Sequence, residues 1–466
     1  MQRRAWLIAI AAFAVAVALI VVRPHSTPGP TLRDFEAYHA AGAAWNAQED
    51  PYSRAVWNDE RTIAGVDSSR DELLPFVGPP SSLPLFSLFA RIAYSRATIV
   101  WSMLLSVALI ATVLLTLRLA RIPYSWYTLL AAAALSIGFA PITSDLALGQ
   151  VALLAFAGAV VAIVFYERRV VAAALGIIVA ALQPNVALPL VALLTKRNGL
   201  RAAIAGALVT FALGAWALGA GWAVTYAQTL APHAGAEMLS AIQQTPVAVA
   251  YGFGLDANAS KFIGRIATFA TTVVAIVVMV VLRDVRHRFV VLCAMLPWGA
   301  TFFHEHDLLV AFAPAVWCAR YASGARRSIG LIATLLVAID WLGLAQRPDG
   351  IAQSAFLALA AACGYLALTT SQTSSARSTW LAVATAAAVF AFGAWIGAQH
   401  PAPIWPDALG AYHAPANTSA AAVWESEQRI TGLLDVQPAW ALLRSFALIG
   451  SVLLAVAAAL SPPQPL

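Results

Sequence analysis

Charged side chains are scarce in this chain. Asp, Glu, Lys and Arg together make up 11% of its 466 residues, whereas a soluble globular domain carries roughly 25%. Hydrophobic residues make up 61% of the sequence, and the mean hydropathy is +0.77. The apolar runs are continuous and rich in Ala and Leu, unlike the strands of about ten alternating residues that a membrane β-barrel needs. The sequence therefore predicts an all-α polytopic membrane protein.

Cysteine is scarce as well. The three cysteines, Cys293, Cys318 and Cys363, all fall in apolar segments, so neither a disulfide framework nor a cysteine-based metal cluster is expected. The net charge of +6 is not concentrated in a basic patch of the kind that binds nucleic acid. The basic residues are spread over the connections between apolar segments, and we expect no nucleic-acid partner.

The distribution of charge indicates how the chain is oriented in the membrane. The apolar segments predict spans at about 5–22, 97–117, 126–140, 150–165, 170–182, 184–195, 200–219, 262–282, 289–302, 306–320, 328–346, 351–369, 380–398 and 440–460. With the N-terminus inside, the inner connections hold 16 of the 28 basic residues and only two of the 22 acidic ones, Glu167 and Asp284. This is the positive-inside pattern. We expect about 11–14 membrane helices, including short or re-entrant ones, and both termini in the cytoplasm.

Three polar stretches are too long to be simple connections, and the charge pattern puts all three on the outer side. They cover about residues 23–96, 220–261 and 399–438. Because the inner connections are short, we expect the protein to work on its outer face. In the first outer loop, apolar residues recur at helical spacing over 79–92, which predicts an amphipathic interfacial helix. No internal repeat or soluble domain stands out, so residues 1–466 are expected to form a single integral membrane domain.

One apolar segment is interrupted by proline. Residues 170–195 lie between two basic clusters that both favour the inner side, yet the segment is too short to cross the membrane twice, since one span needs about 20 residues. Pro184 and Pro189 interrupt helical hydrogen bonding within it. We therefore expect two half-helices that meet at Gln183-Pro184-Asn185. Irregular backbone at membrane depth is tolerated only where protein or a water-filled cavity covers it.

A second interruption lies in the sequence WGATFFHEHDLL. Short apolar runs on both sides place His304 and His306 at an outer-side turn flanked by aromatic residues. A His-x-His pair can ligate a metal ion, but a convincing third ligand is not visible in the sequence. A surface turn is the simpler interpretation of the pair taken alone.

Polar residues from distant parts of the chain map to the outer side of the membrane. They are Asp34, Gln150, Gln183, His304 and His306. Each has a plain structural interpretation by itself, as an interfacial charge, a helix cap or a turn residue. Their common placement predicts that they face one shared polar cavity, which is the default location for a functional site.

An outer-face location restricts the chemistry, because nucleotide sugars and ATP stay in the cytoplasm. A sugar linked to polyprenyl phosphate already carries a leaving group, and its transfer needs one general base for the acceptor hydroxyl. Asp34 suits the base, while His304, His306 and Arg33 suit the departing phosphate. The predicted helix at 79–92 would line a groove for the polyprenyl tail.

Short motifs in a fixed order resemble glycosyltransferase family 87 of the GT-C superfamily, the polyprenyl-phosphate-mannose-dependent mannosyltransferase-like proteins. The matching positions are Asp34 and Tyr38 of an Asp-x-x-x-Tyr motif, Pro51 and Tyr52 of a Pro-Tyr pair, FVGPP (76–80) for Phe-x-Tyr-Pro-Pro, Gly149 and Gln150 of Gly-Gln-x-Asn, Gln183 and Pro184 for Lys-Pro, QQTP (243–246) for Asn-Gln-Ser, and LPWGATFFHEH (296–306) for Ser-Pro-x-x-Trp-x-His-His. These motifs extend over about residues 5–320.

The resemblance implies an inverting glycosyltransferase on the outer, periplasmic face of a bacterial inner membrane. The enzyme would move a mannose-like sugar from a polyprenyl-phosphate donor to a hydroxyl of a glycolipid or glycan. Residues 5–320 would form the catalytic core and 321–466 the C-terminal helices. The resemblance implies no metal and no cofactor besides the lipid-linked donor, and we expect a monomer surrounded by membrane lipid. The implied site residues are Asp34 as general base and Arg33, Tyr38, Gln150, Gln183, Gln244, His304 and His306 for the donor phosphate and sugar.

Two departures from the family pattern keep other functions open. Gln183 stands where the family has a lysine that can hold donor phosphate, and Ala152 stands where it has an asparagine. One alternative is a transporter or lipid flippase, a class that often shows inverted repeats and midplane charges; here no repeat is found. The other is a non-catalytic membrane scaffold or assembly partner in cell-envelope polysaccharide synthesis, which the two departures leave open.

Overall fold

The computed structural model describes residues 2–21, 30–369 and 376–463, and within them every regular element is a helix. Residues 23–29 of the predicted first outer loop lie outside the described residues. The α-helices are α1 (Gln2–Val21), α2 (Arg33–Asn46), α3 (Val56–Glu60), α4 (Leu83–Phe89), α5 (Tyr94–Leu119), α6 (Trp126–Ile137), α7 (Ala140–Leu148), α8 (Ala152–Phe165), α9 (Val170–Ala180), α10 (Pro184–Ala187), α11 (Arg197–Leu218), α12 (Trp222–Glu237), α13 (Pro246–Gly252), α14 (Ala257–Val281), α15 (Val285–Gly299), α16 (Phe312–Tyr321), α17 (Ala325–Ala338), α18 (Trp341–Gln346), α19 (Ile351–Leu368), α20 (Ala376–Gln399), α21 (Ala420–Ile430) and α22 (Pro438–Ala459). Short 3-10 helices lie at Pro80–Ser82, Leu188–Thr195, His306–Ala311, Pro348–Gly350 and Asp407–Leu409.

Seven of these helices are long and apolar enough to cross a membrane. They are α1, α5, α11, α14, α19, α20 and α22. Helices α6 and α7 together qualify as an eighth span, broken by a bend of 68°. Shorter apolar helices lie at Ala152–Phe165, Val170–Ala180 and Pro184–Thr195. The chain is therefore an all-α polytopic membrane protein, as the sequence predicts.

The interruption predicted within 170–195 is confirmed. Helix α9 ends at Ala180, and a new helix begins at Pro184 after Gln183 adopts an extended conformation. A proline at the first helical position loses nothing, because its missing N–H would have no partner there. Gln183 therefore lies in the break between two short helices and not within one long helix.

The prediction of a single span at 328–346 is wrong, because two helices occupy this segment. Helix α17 ends at Ala338, and α18 begins after Asp340. The Asp340 carboxylate accepts a hydrogen bond from the backbone N–H of Gly343 at 2.8 Å. Aspartate favours this capping position, because its oxygen satisfies an N–H that the helix leaves unpaired. The N-cap therefore starts a new helix where the apolar pattern alone suggests continuity.

Small residues allow the apolar helices to approach closely. Where α8 crosses α9, a Cβ atom on Gly158 would lie 2.6 Å from the backbone oxygen of Gly176. Such contacts are typical of helix packing in membranes, where small residues let the backbones meet. Helices α1, α6 and α19 form a second closely packed group, and α17 packs along α22.

The first outer loop contains helices that pack through an aromatic cluster. On α2, Phe35 stacks on Trp101 of α5 with ring centroids 5.0 Å apart, and Tyr38 stacks on Phe86 of α4 at 4.7 Å. The helix predicted at 79–92 is shorter in the structure: a 3-10 turn at Pro80–Ser82 leads into α4, which ends at Phe89. Pro84 is tolerated in the first turn of an α-helix but not in its interior, so α4 begins at Leu83 rather than at residue 79. The aromatic cluster of Phe35, Tyr38, Phe86 and Trp101 packs α2 against α4 and α5.

Candidate active site

Asp34 lies at the end of a short hydrogen-bonded chain. The Gln150 side-chain nitrogen Nε2 donates to Asp34 Oδ2 at 2.6 Å, and the Tyr38 hydroxyl donates to Gln150 Oε1 at 2.6 Å. Asp34 and Tyr38 are four residues apart on α2, so their side chains share one face of that helix. Gln150 therefore holds the Asp34 carboxylate in one orientation while its own orientation is set by Tyr38. Asp34 is half-buried as a residue.

Gly149 explains why Gln150 reaches α2. It ends helix α7 with φ of 75°, in the left-handed region that favours glycine. A Cβ atom at this position would lie 2.8 Å from Cβ of Leu32 and 3.0 Å from Cβ of Phe35. The Trp101 indole N–H donates to the Gly149 carbonyl at 2.8 Å and holds the turn in place. The Gly-Gln pair is thus a close contact between two distant segments, and its glutamine does not cap the helix.

Burial raises the pKa of Asp34 above its usual range. The hydrogen bond from Gln150 and the positive charge of Arg33 oppose this shift. His304 also lowers the pKa of Asp34 through its charge, and Glu237 raises it. Asp34 therefore lies close enough to His304 and to Glu237 for their charges to affect its pKa.

A second cluster is organised around Glu237, at the end of α12. This buried carboxylate accepts hydrogen bonds from Gln243 at 2.7 Å and from the Trp424 indole at 3.0 Å. Its oxygens also lie 2.5 Å from His304 Nε2 and 3.1 Å from His233 Nε2. Glu237 thus joins the second outer loop, the histidine turn and the last outer loop at one point.

Burial and neighbouring charges shift the pKa values of Glu237, His304 and His306. Burial alone would raise the pKa of Glu237, but His304 and His233 outweigh it and lower that pKa well below its usual range. Burial lowers the pKa of His304, yet the Glu237 carboxylate more than compensates, so the His304 pKa is raised. Burial lowers the pKa of His306 to about 4, so this imidazole is neutral.

Sequence reasoning did not find Glu237. A signal was available, because His233 and Glu237 are spaced i, i+4 in an outer loop and therefore share a helix face. What the sequence could not show is that His304, 67 residues further along, contacts the same carboxylate. Gln243 was also passed over in favour of its neighbour. The structure places Gln243 against Glu237, whereas the side chain of Gln244 is buried and its Oε1 has no hydrogen-bond partner among the described residues.

The break before α10 meets the histidine turn. Gln183 Nε2 donates to Asp307 Oδ1 at 3.1 Å, and the His304 backbone N–H donates to Asp307 Oδ2 at 3.0 Å. Asn185 Nδ2 donates to the Phe302 carbonyl at 2.9 Å. The structure therefore joins the two interruptions that the sequence predicts, with Asp307 as the shared contact.

Asp307 also forms a group with the two histidines. One ligand-type atom each from His304, His306 and Asp307 lie within 4.8 Å of one another. The side chain that completes a group of three metal-ligand types is thus Asp307, the residue directly after the His-x-His pair.

The last outer loop lies over Arg33. The Arg33 guanidinium is 4.1 Å from the centroid of the Trp405 ring, a cation–π contact. The Trp405 indole N–H donates to Glu427 at 2.9 Å, and the backbone N–H of Leu73 donates to the other Glu427 oxygen at 2.8 Å. Burial lowers the pKa of Arg33, and the charges of Glu36 and Asp34 raise it in opposition. The first and last outer loops therefore close over the same side of the site.

An apolar cavity of about 460 Å³ lies beside α4. It is formed between α4, the end of α9 and the middle of α11. The residues around it are Trp45, Ser81, Pro84, Leu85, Ser87, Leu88, Arg91, Ile178, Val179, Leu182, Thr210, Leu213 and Trp216. It lies next to α4, in the segment where the sequence predicts a helix lining a groove for a lipid tail.

Comparison with known proteins identifies one family. The model of glycosyltransferase family 87 matches residues 76–311, just over half of the chain. Gln150, Gln183, Glu237 and the histidine turn lie inside the matched region, whereas Asp34 and Tyr38 precede it. No curated protein and no solved structure matches the chain.

Proposed function

The chain belongs to glycosyltransferase family 87, and from this membership we propose that it moves a sugar from a polyprenyl-phosphate donor to a hydroxyl of a glycolipid or glycan. It is a glycosyltransferase and a multi-pass membrane protein. The lipid-linked donor, with mannose as the preferred sugar, and the acceptor are parts of our proposal. So are the location on the outer face of a bacterial inner membrane, with cytoplasmic termini, and action as a monomer.

The hydrogen bond between Asp34 and Gln150 carries this proposal. It joins an acid from the first outer loop to a glutamine inside the region that the family model matches. A general base needs an accessible carboxylate oxygen in a fixed orientation, with a raised pKa. Asp34 suits this role, because its Oδ2 is held by Gln150, burial raises its pKa, and the residue is half-buried rather than fully buried.

The proposed reaction is a single displacement at the anomeric carbon. Asp34 accepts the proton of the acceptor hydroxyl while the hydroxyl oxygen forms a bond to that carbon. The bond from the anomeric carbon to the phosphate oxygen breaks, and polyprenyl phosphate leaves with the electron pair. Because attack and departure occur on opposite faces of the sugar, the configuration inverts, and a β-linked donor gives an α-glycoside.

The donor phosphate fits best near the histidine turn. His304 is electrostatically coupled to Asp34, so a phosphate beside the histidines would hold its sugar near the base. Positive charge or hydrogen-bond donors at this point stabilise the phosphate as it departs. The cavity beside α4 has the apolar lining that a polyprenyl tail requires, and Arg91 stands at its wall.

The last outer loop supports an acceptor site above Asp34. Trp405 is half-buried, and its ring lies over Arg33, the neighbour of the proposed base. Trp424 packs against Trp405 with ring centroids 5.4 Å apart. An aromatic face of this kind suits the apolar C–H face of a sugar ring. We therefore assign the acceptor glycan to the space between this loop and Asp34.

A transfer assay with Asp34→Asn tests the proposal. Purified full-length protein would be supplied with polyprenyl-phosphate mannose and an extract of membrane glycolipids, and transferred sugar would be measured. Loss of a general base lowers the rate by about 10²–10⁴-fold, so Asp34→Asn is expected to lose nearly all transfer while keeping its thermal unfolding temperature. The matched control is Asp50→Asn, in the same outer loop. Full activity of Asp34→Asn would reject the base assignment.

A further inference from the structure

Three side chains at the histidine turn are of the types that bind metal ions, and the proposed reaction gives them no metal-binding role. His304, His306 and Asp307 bring two imidazoles and one carboxylate within 4.8 Å of one another. Two histidines and one carboxylate form a ligand set that divalent transition metals favour, with further positions left open for other ligands. We propose that these three residues bind one Mn²⁺ or Zn²⁺ ion. This departs from the metal-free enzyme that the family resemblance implies.

Hydrogen bonds around His304 are arranged as they are around a metal ligand. His304 Nε2 lies 2.5 Å from the Glu237 carboxylate. In the proposed site the ion binds the neutral ring through Nδ1 and displaces any proton from that nitrogen, while the proton on Nε2 is donated to Glu237. In metal sites the second ring nitrogen of a ligating histidine is almost always bonded to a carboxylate or carbonyl, which fixes the tautomer and the ring orientation. Glu237 is itself fixed by Gln243 and Trp424, so the orientation of the His304 ring is well determined.

The carboxylate ligand is oriented in the same way. Gln183 Nε2 donates to one Asp307 oxygen and the His304 backbone N–H donates to the other. Each oxygen keeps a second lone pair, so these bonds position the carboxylate without preventing it from binding an ion. Asp307 is fully buried. A buried carboxylate held by only two neutral donors gains strongly from a nearby cation.

His306 is the observation that points to a ligand independently of the others. The residue is 6% exposed, and its ring makes no hydrogen bond to any described residue. The ring nitrogens of His306 are not among the fully buried side-chain atoms that lack a partner, so they keep access to the space beside the ring. An accessible imidazole nitrogen without a hydrogen bond is available to coordinate a metal ion.

The proposed ion would also replace the positive charge of the lysine that the family has at position 183. Gln183 stands at that lysine position, and here it donates to Asp307, one of the proposed ligands. Two acids contact His304, because Glu237 lies 2.5 Å from its Nε2 and Asp307 accepts from its backbone N–H at 3.0 Å. A phosphate that approaches this group therefore meets the negative charge of both acids. A divalent ion with open coordination positions would bind a phosphate oxygen and offset that repulsion; this role rests on the proposed function, whereas binding of the ion does not.

Binding of the metal alone provides the test. Full-length protein, stripped with a chelator in detergent, would be titrated with Mn²⁺, and free Mn²⁺ would be followed by electron paramagnetic resonance. We expect one ion per chain, which Zn²⁺ displaces. His306→Ala and Asp307→Asn should abolish measurable binding. Glu237→Gln should weaken it by about 10- to 100-fold, because it removes only the group that orients His304.

Two control variants keep the result specific. Glu305→Gln removes a carboxylate from between the ligands, and Glu305 does not belong to the group of three. His413→Ala removes an exposed histidine from the last outer loop. Both should bind Mn²⁺ as the wild type does. The absence of stoichiometric binding in the wild type, or unchanged binding in both His306→Ala and Asp307→Asn, would overturn the site.

The role of the ion is tested separately from its presence. Farnesyl phosphate added to the Mn²⁺-loaded protein should produce a ³¹P coupling in pulsed electron paramagnetic resonance, which shows that phosphate is a ligand of the ion. No coupling at saturating farnesyl phosphate would overturn the phosphate role. Activity of Asp34→Asn would reject the proposed function instead, and it would leave the metal titration unaffected.

Discussion

At the scale of single residues, two acids on α2 have different environments. Asp34 is half-buried and bonded to Gln150, whereas Glu36 is 3% exposed and lies near Glu72. Burial raises the pKa of both acids, to about 8 for Glu36, so the shift alone does not separate them. Exposure and orientation do, because Glu36 is buried whereas Asp34 is partly exposed and held by Gln150. The structure therefore favours Asp34 over its neighbour on grounds that are independent of the family motif.

Replacing Gln150 is expected to shift the pH dependence of transfer. Asp34 acts as a base only when ionised, so the rate rises with pH through its pKa. Gln150 donates to the ionised form and lowers that pKa. Removing a hydrogen bond to a charged group costs about 1.5–3 kcal/mol, which corresponds to about 1–2 pH units. Gln150→Ala should therefore move the acidic limb of the kcat/KM profile by about that amount toward higher pH.

Tyr38→Phe provides the matched comparison for Gln150→Ala. It removes the hydroxyl that orients Gln150 but leaves the bond from Gln150 to Asp34. The acidic limb of the kcat/KM profile should therefore move less in Tyr38→Phe than in Gln150→Ala. If the two variants and the wild type share one limb, Asp34 is not the group that titrates.

How much of this site the sequence predicts depends on the distance along the chain. The pairing of Asp34 with Tyr38 follows from helical spacing alone. The contact from Gln150 to Asp34 spans 116 residues, and only a shared outer-side placement could be predicted for it. Glu237 was missed because its partners, His304 and Trp424, come from other outer loops. Long-range contacts of this kind depend on how helices pack, which composition and periodicity do not specify.

At the scale of elements, the last outer loop is attached to the first through Glu427 on α21. This residue is fully buried and accepts hydrogen bonds from Leu73 and Trp405. Burial raises the pKa of Glu427, although both hydrogen bonds oppose the shift. We expect Glu427→Ala to destabilise the protein by about 1–3 kcal/mol, because two buried donors lose their acceptor, and to raise KM for the acceptor more than for the donor.

Two variants on the same helix distinguish this from a general effect on α21. Glu427→Gln keeps a carbonyl oxygen and should retain much of the stability. Glu425→Ala removes an exposed acid that pairs with Arg429 four residues later, and surface pairs of this kind contribute little. Thermal unfolding and separate KM measurements for the two substrates provide the readout. Equal effects of Glu425→Ala and Glu427→Ala would contradict the proposed attachment.

The cavity beside α4 leads to a prediction about the donor tail. Leu213 on α11 lines this cavity, whereas Leu208 on the same helix is 65% exposed and faces away from it. Leu213→Trp should raise KM for a long polyprenyl donor and leave KM for a short-chain donor nearly unchanged, because only a long tail fills the cavity. Leu208→Trp should alter neither. Equal effects on both chain lengths would show that the tail binds elsewhere.

At the scale of the whole molecule, the sequence predicts the architecture better than the individual spans. Seven long apolar helices and a bent pair confirm a polytopic helical protein. The interruption at Gln183 was predicted because prolines and flanking basic residues mark it locally. The break at Asp340 was not, since the apolar pattern continues through it and only the N-cap reveals the new helix. A helix break can thus be predicted where prolines or charges interrupt the apolar pattern, and it is missed where that pattern continues through the break.

The orientation in the membrane is testable with single reporter cysteines. The native Cys293, Cys318 and Cys363 are all buried, so they should stay silent toward a membrane-impermeant maleimide. Ala408, in the last outer loop, and Arg168, in a basic connection, are both exposed. With basic connections inside, Ala408→Cys should be labelled in intact cells, and Arg168→Cys only after the membrane is permeabilised. The reverse pattern would place Asp34 on the cytoplasmic side, where nucleotide sugars are available, and a lipid-linked donor would no longer be required.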